Sequence, residues 1–190
     1  MSKDSNLHLE LDFLSLLRTR RSIRRFLPEP VPPEMVMALQ EAVLLVPSSR
    51  NQKPWEFVFV DDRSLLVQLS HARPDGASAF VAGAALAVAV CGDPRFSDVW
   101  IEDCSIAAFA LQITAHSLAL ASCWVQIRRR QSGGGKTAEE FVREVFHIPQ
   151  RLRILSLVAI GFPAETKPPR AAPDSLLRSK ISLNRYGQRV

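Results

Sequence analysis

Arg20-Arg21-Ser22-Ile23-Arg24 sets three guanidinium groups and a hydroxyl within five residues, just after an apolar helical run. Such a cluster wants an anion. Guanidinium is a planar fork of donors that matches phosphate oxygens two at a time, and Ser22 adds a short neutral donor between the charges. Clustered arginines also serve as a solvated face, a basic arm or cationic partners of a helix end, so the cluster alone leaves these readings open. A second polar stretch, Pro47-Ser48-Ser49-Arg50-Asn51-Gln52-Lys53-Pro54-Trp55, follows after one predicted helix and opens into the strand-like run Glu56 to Val60. Taken alone, its serines and asparagine are turn residues behind a proline-stopped helix.

The chain has 190 residues, of which 47% are hydrophobic, enough to bury one substantial core, so a single domain over 1–190 is expected. The net charge of +5 and pI near 9.6 suit anionic small molecules, nucleic acid or an acidic surface equally well. Met1 to Leu11 carries Asp4 and Glu10 and lacks the apolar centre of a secretory signal; residues 1–10 are expected to be flexible. The apolar run Ala79 to Cys91 is too short to cross a bilayer, and the expectation is a cytoplasmic protein without a membrane partner. Cys91, Cys104 and Cys123 are odd in number and far apart, so neither a disulfide framework nor a metal site is expected.

Along the chain, apolar spacing predicts helices over Leu11 to Leu17, Glu34 to Val46, Arg63 to His71, Trp100 to Ala121 and Ala138 to Phe146. Strands are expected at Phe57 to Val60, Ala84 to Cys91, Ser122 to Arg128 and Arg153 to Gly161. Trp100 to Ala121 is apolar and alanine-rich on nearly every side, which suits a central helix and often a subunit interface as well. Thr137 with Glu140 three residues on spells a capping box. Gly133-Gly134-Gly135-Lys136-Thr137 invites comparison with a phosphate-binding loop. The full pattern needs glycine where Arg130 stands, so the segment is a flexible turn. After Phe162-Pro163 the tail is too polar to fold alone, yet Leu176, Leu177, Ile181, Leu183 and Tyr186 must pack somewhere.

Four stretches in order and spacing resemble the nitroreductase family of flavin enzymes: RRSIRRF at Arg20 to Phe26, the serine-rich stretch from Pro47 to Trp55, SCWV at Ser122 to Val125, and AIGFPAE at Ala159 to Glu165. The resemblance runs from about Leu14 to the end. It implies an α+β fold with a mixed central β-sheet flanked by helices, in an intertwined homodimer whose two chains build each FMN site together. The tail, residues 164–190, would then extend over the partner subunit.

The resemblance also implies roles. Arg20 and Ser22 would hold the FMN phosphate and ribityl chain, with help from Arg21, and Lys167 or Arg170 would complete that clamp. Arg24 would reach the pyrimidine edge of the flavin. Pro47, Ser48 and Ser49 would come from the other subunit and lie against the ring, with Asn51 at a polar flavin atom. Val125, Gln126 and Ile127 would line the opposite side, offering backbone hydrogen bonds. The implied reaction takes hydride from NADH or NADPH and then reduces a small-molecule acceptor such as a nitroaromatic or quinone, in two steps on one flavin. No catalytic acid, base or nucleophile is needed, because the cofactor carries that chemistry. His8, His71, His116 and His147 accordingly read as surface or core residues. Two departures stand out: Lys53 replaces a glutamine, and Ala119-Leu120-Ala121 replaces a Gly-Leu-Gly turn.

Two rivals remain. A flavin protein of the same fold devoted to reductive dehalogenation or flavin breakdown would need a substrate lid, for which the loop Arg73 to Ser78 is short. A basic nucleic-acid-binding module would need a reading motif or aromatics interleaved with the arginines, and the sequence has neither; no nucleic-acid partner is expected.

Overall fold

The computed structural model describes residues 13–189. Residues 1–10 and the start of the first predicted helix lie outside them. The elements are α1 (Phe13–Thr19), α2 (Pro33–Leu44), β1 (Trp55–Val60), α3 (Arg63–Leu69), β2 (Leu86–Gly92), α4 (Trp100–Ser117), β3 (Ala121–Gln126), α5 (Ala138–Phe146), β4 (Arg153–Gly161) and α6 (Ser175–Arg178).

The sheet runs β1-β2-β4-β3, and every ladder in it is antiparallel. Among the described residues its parallel component is one bridge between Ser22 and Ser122, and the mixed character expected of the sheet rests there on that bridge. The two central strands are the continuous apolar runs of the sequence: β2 is buried throughout, and β4 is buried from Ile154 onward. A strand covered on both faces has no use for polar alternation. One face meets α2 and α4, where Leu39, Val43, Cys104, Ala108 and Leu111 pack on Val88, Val90, Val158 and Ile160. The other meets α3 and α5, where Leu66, Leu69 and Val142 pack on Ala87, Ala89, Leu157 and Ala159. Gly92 permits the closest approach: a Cβ there would lie 2.7 Å from the Trp100 ring and 2.8 Å from Cys104 Sγ.

Two helix ends show how far local sequence carries. At α5 the capping box forms as read, with Glu140 N donating to Thr137 Oγ1 at 3.1 Å and Thr137 N to Glu140 Oε2 at 2.8 Å. At α4 the expected end at Ala121 is wrong, because the helix stops at Ser117. Leu120 N donates to Ala115 O at 2.8 Å and Ala119 N to His116 O at 3.1 Å, while Ala119 sits at φ 59°. This is the left-handed helix stop that usually carries glycine. Alanine hides it from local helix signals, although the resemblance marks a turn at Ala119-Leu120-Ala121.

Candidate functional site

Beyond α1 the chain turns extended and is stitched between β3 and the segment that follows β4. Ile23 N donates to Ser122 O at 3.2 Å, Leu27 N to Phe162 O at 2.9 Å, Ala164 N to Arg25 O at 2.9 Å, and Arg170 N to Arg18 O at 2.9 Å. Ile23 is buried and anchors the stretch, so its neighbours face outward. The arginine cluster and the start of the tail, more than 140 residues apart in sequence, thus become one surface. Lys167 Nζ donates to Ser22 O at 2.7 Å, Arg21 Nη1 donates to Pro168 O, and Arg24 N donates to Glu165 Oε1 at 2.7 Å. Residues 164–170 of the tail therefore lie on their own chain.

Between these segments and the end of α4 lies a cleft of about 210 Å³, lined by Thr19, Arg20, Arg21, His116, Ser122 and Lys167 among others. Two of its polar atoms, Arg20 Nη1 and Ser122 Oγ, are buried without a hydrogen-bond partner. Arg20 is also partly desolvated and has Arg170 beside it, and both lower its pKa from the ordinary arginine value. It remains a cation at neutral pH. Around the cleft stand Arg20, Arg21, Lys167 and the nearby Arg170, with Glu165 as the one lining carboxylate. The Arg24 backbone amide, followed in influence by Lys167, holds Glu165 below the usual carboxylate range. The surplus of positive charge and the two orphaned donors fit a phosphate group.

Ser22 contributes its carbonyl to Lys167, and Arg24 lies with its guanidinium 5.6 Å from the centre of the Phe80 ring. The side chains of Val125 on β3 and of Ile127, just past its end, are buried. Ladder alternation gives Val125 to Leu157, and Ile127 N bonds Leu155 O at 3.3 Å. The edge of the strand turned away from β4 is presented by Ser122, Trp124 and Gln126; the Ser122 carbonyl is taken by Ile23 N, and the Gln126 carbonyl accepts from Arg73 Nη1 at 3.2 Å.

Pro47, Ser48, Ser49 and Asn51 stand elsewhere. Ser49 N donates to Asp103 Oδ1 at 2.8 Å, and the buried Asp103 also accepts from Ser97 at 2.9 Å. Lys53 N donates to Ser48 Oγ at 2.9 Å, and the Lys53 side chain faces solvent. Arg50, Asn51 and Lys53 all have positive φ, a costly conformation that the surrounding contacts must hold. The loop is therefore a built feature and more than a polar turn. It sits at the N-terminal end of α4, whereas the arginine cleft sits at the C-terminal end. Asp103 and His116 are about 20 Å apart along the helix. One chain does not bring the two halves together.

Sequence reasoning missed Thr19, His116, Ser122 and Asp103. Ser122 stood inside a quoted motif, and its place at the head of an edge strand could have flagged it. His116 carried no signal, since its partners come from α1 and the tail.

The sequence model described as the nitroreductase family matches residues 17–73 and 64–162. A protein of Methanothermobacter thermautotrophicus provisionally named NADH dehydrogenase/NAD(P)H nitroreductase is 32% identical over 159 residues, covering 82% of this chain and 80% of its own. The solved structure of an FMN-dependent nitroreductase from Clostridium difficile R20291 superposes with a TM-score of 0.85 at 37% identity, covering 91% of this chain and 99% of the other. An NADPH:FMN oxidoreductase from Vibrio harveyi, solved with NAD+, shares the fold at a TM-score of 0.75 and 21% identity, covering 93% and 78%.

Proposed function

The chain belongs to the nitroreductase family, and on that premise we propose that it is an FMN-dependent oxidoreductase. It draws on NADH or NADPH and reduces a nitroaromatic, quinone or similar small acceptor. The observation that carries this reading is the buried, unpartnered Nη1 of Arg20 in a cleft with surplus positive charge. A donor left in that state costs stability in the free protein and is repaid by a phosphate. FMN, when bound, supplies the redox chemistry, accepting hydride and delivering electrons to the acceptor.

The chain's own residues then bind and orient. Arg20, Arg21 and Ser22 hold the phosphate end, and Lys167, already tied to the Ser22 carbonyl, braces them together with Arg170. Arg24 supplies positive charge toward the pyrimidine edge, where it favours the gain of negative charge on the ring. Val125, Gln126 and Ile127 form the strand along which the ring lies. Pro47, Ser48, Ser49 and Asn51 are supplied by a second copy of the chain, because α4 holds them about 20 Å from the cleft of their own chain. The working unit is accordingly a homodimer. Exposed apolar side chains on α1 and α4, namely Phe13, Leu14, Ile106 and Phe109, support a subunit contact there. Those of the tail beyond Arg170, Leu177, Ile181 and Leu183, support packing on the partner. The basic character serves an anionic cofactor rather than nucleic acid. No described helix is long and apolar enough to cross a membrane, and the free cysteines suit a reducing cytoplasm.

The test is direct. Purified protein is denatured, the released flavin is identified, and the reconstituted enzyme is mixed anaerobically with NADH and with NADPH, followed by a nitroaromatic or a quinone. Bleaching by at least one nucleotide and recovery with the acceptor are expected. A protein that carries no flavin and takes up no added FMN overturns the reading.

A further inference from the structure

In the cleft, His116 from the last turn of α4 meets Thr19 from the last turn of α1, with Nε2 and Oγ1 2.8 Å apart. Thr19 has one hydroxyl proton and donates it to Ser15 O at 2.7 Å. His116 must therefore be the donor in its bond to Thr19, which places the ring proton on Nε2 and leaves the lone pair on Nδ1. Protonation at Nδ1 disturbs neither hydrogen bond. The charged groups that share the cleft with the ring are cations from two segments, Arg20 and Arg21 behind α1 and Lys167 in the tail, with Arg170 beside Arg20 and Glu165 as the one lining carboxylate; of these Arg20 acts on the imidazole directly. No other titratable side chain of α4 lines the cleft.

Building on the FMN reading, we propose that His116 is the proton-linked member of this anion site: it takes up a proton as the phosphate enters, and it couples flavin retention to pH. Its protonation is unfavourable among unneutralised cations and favourable beside a phosphate dianion. Burial, and next the Arg20 charge, already hold the imidazole pKa below its ordinary value in the free protein. A dianion offsets most of that positive charge and raises the pKa. Because a group whose pKa rises on binding takes up protons, affinity falls as pH rises from the free-state pKa to the bound-state pKa and levels off above it. The phosphate's own second ionisation, with a pKa near about 6, gives the opposite trend only at lower pH.

The His116 imidazole is followed by NMR across pH 5 to 9 in flavin-free protein, with FMN and with riboflavin, and His116→Gln assigns its resonance. FMN affinity is measured in parallel by quenching of flavin fluorescence over the same pH range, for the wild type and for His116→Gln. The expected result is a His116 pKa raised by FMN but not by riboflavin. Relative to His116→Gln, wild-type affinity should weaken by up to about tenfold per pH unit between the free and the FMN-bound His116 pKa values, and be flat outside them. If FMN binds and the His116 pKa stays where it was, the proton-linked role is overturned while the flavin reading stands. If FMN does not bind at any pH, both fall.

Discussion

Arg20 carries the clearest conflict in the chain, since its buried Nη1 has no partner while its neighbours repel it. An orphaned buried donor costs about 1 to 3 kcal/mol, whereas a charge-assisted bond to phosphate contributes about 1.5 to 3 kcal/mol. Arg20→Met keeps the aliphatic stem and removes the donor. The flavin-free variant should melt higher by a few degrees, at about 2 to 4 °C per kcal/mol in a chain this long. Its FMN affinity should fall roughly 10- to 100-fold. Calorimetry and fluorescence titration read the two effects separately, and a destabilised variant with unchanged affinity would mark Arg20 as merely structural. The arginine cluster was visible in the sequence because charge density and donor geometry are local properties. His116, Ser122 and Asp103 were not, because what makes each of them matter is a neighbour from another part of the chain.

At the scale of elements, periodicity and caps were readable where the residues used are the ones the conformation favours. The capping box of α5 and the buried strands β2 and β4 are of this kind. The end of α4 is not, since Ala-Leu-Ala reads as continuing helix and the left-handed stop at Ala119 is imposed by its surroundings. Leu120 is fully buried and pulls the chain into β3 at once. A left-handed alanine costs about 1 to 2 kcal/mol, partly offset by the greater freedom glycine loses on folding, about 0.5 to 1 kcal/mol. Ala119→Gly should therefore stabilise the protein by about 0.5 to 1 kcal/mol in urea or guanidinium unfolding, with an unchanged m-value. A loss of stability would mean that the alanine methyl makes contacts worth more than the backbone strain.

At the scale of the whole molecule, α4 works as a spacer that separates the arginine cleft from the Pro47 to Asn51 loop by about 20 Å. On the proposed reading each chain holds two half-sites that a second copy completes. Ile106 and Phe109 stand on one exposed side of that helix, each more than two-fifths accessible. Phe109→Glu, which would place a charge in the proposed contact, should shift sedimentation from twice 21.2 kDa toward 21.2 kDa and release FMN with it. Wild-type protein that sediments as a monomer and still holds stoichiometric flavin would rule out the composite site. By itself the sequence determined the two-sided core, the element types and the anion-seeking character of Arg20 to Arg24, because hydrophobic period and charge density are written in consecutive residues. Tertiary structure alone decided which donors are left unpaired, which histidine faces the cations and how far apart the two half-sites stand, because burial and distance depend on segments that meet only after the chain has folded.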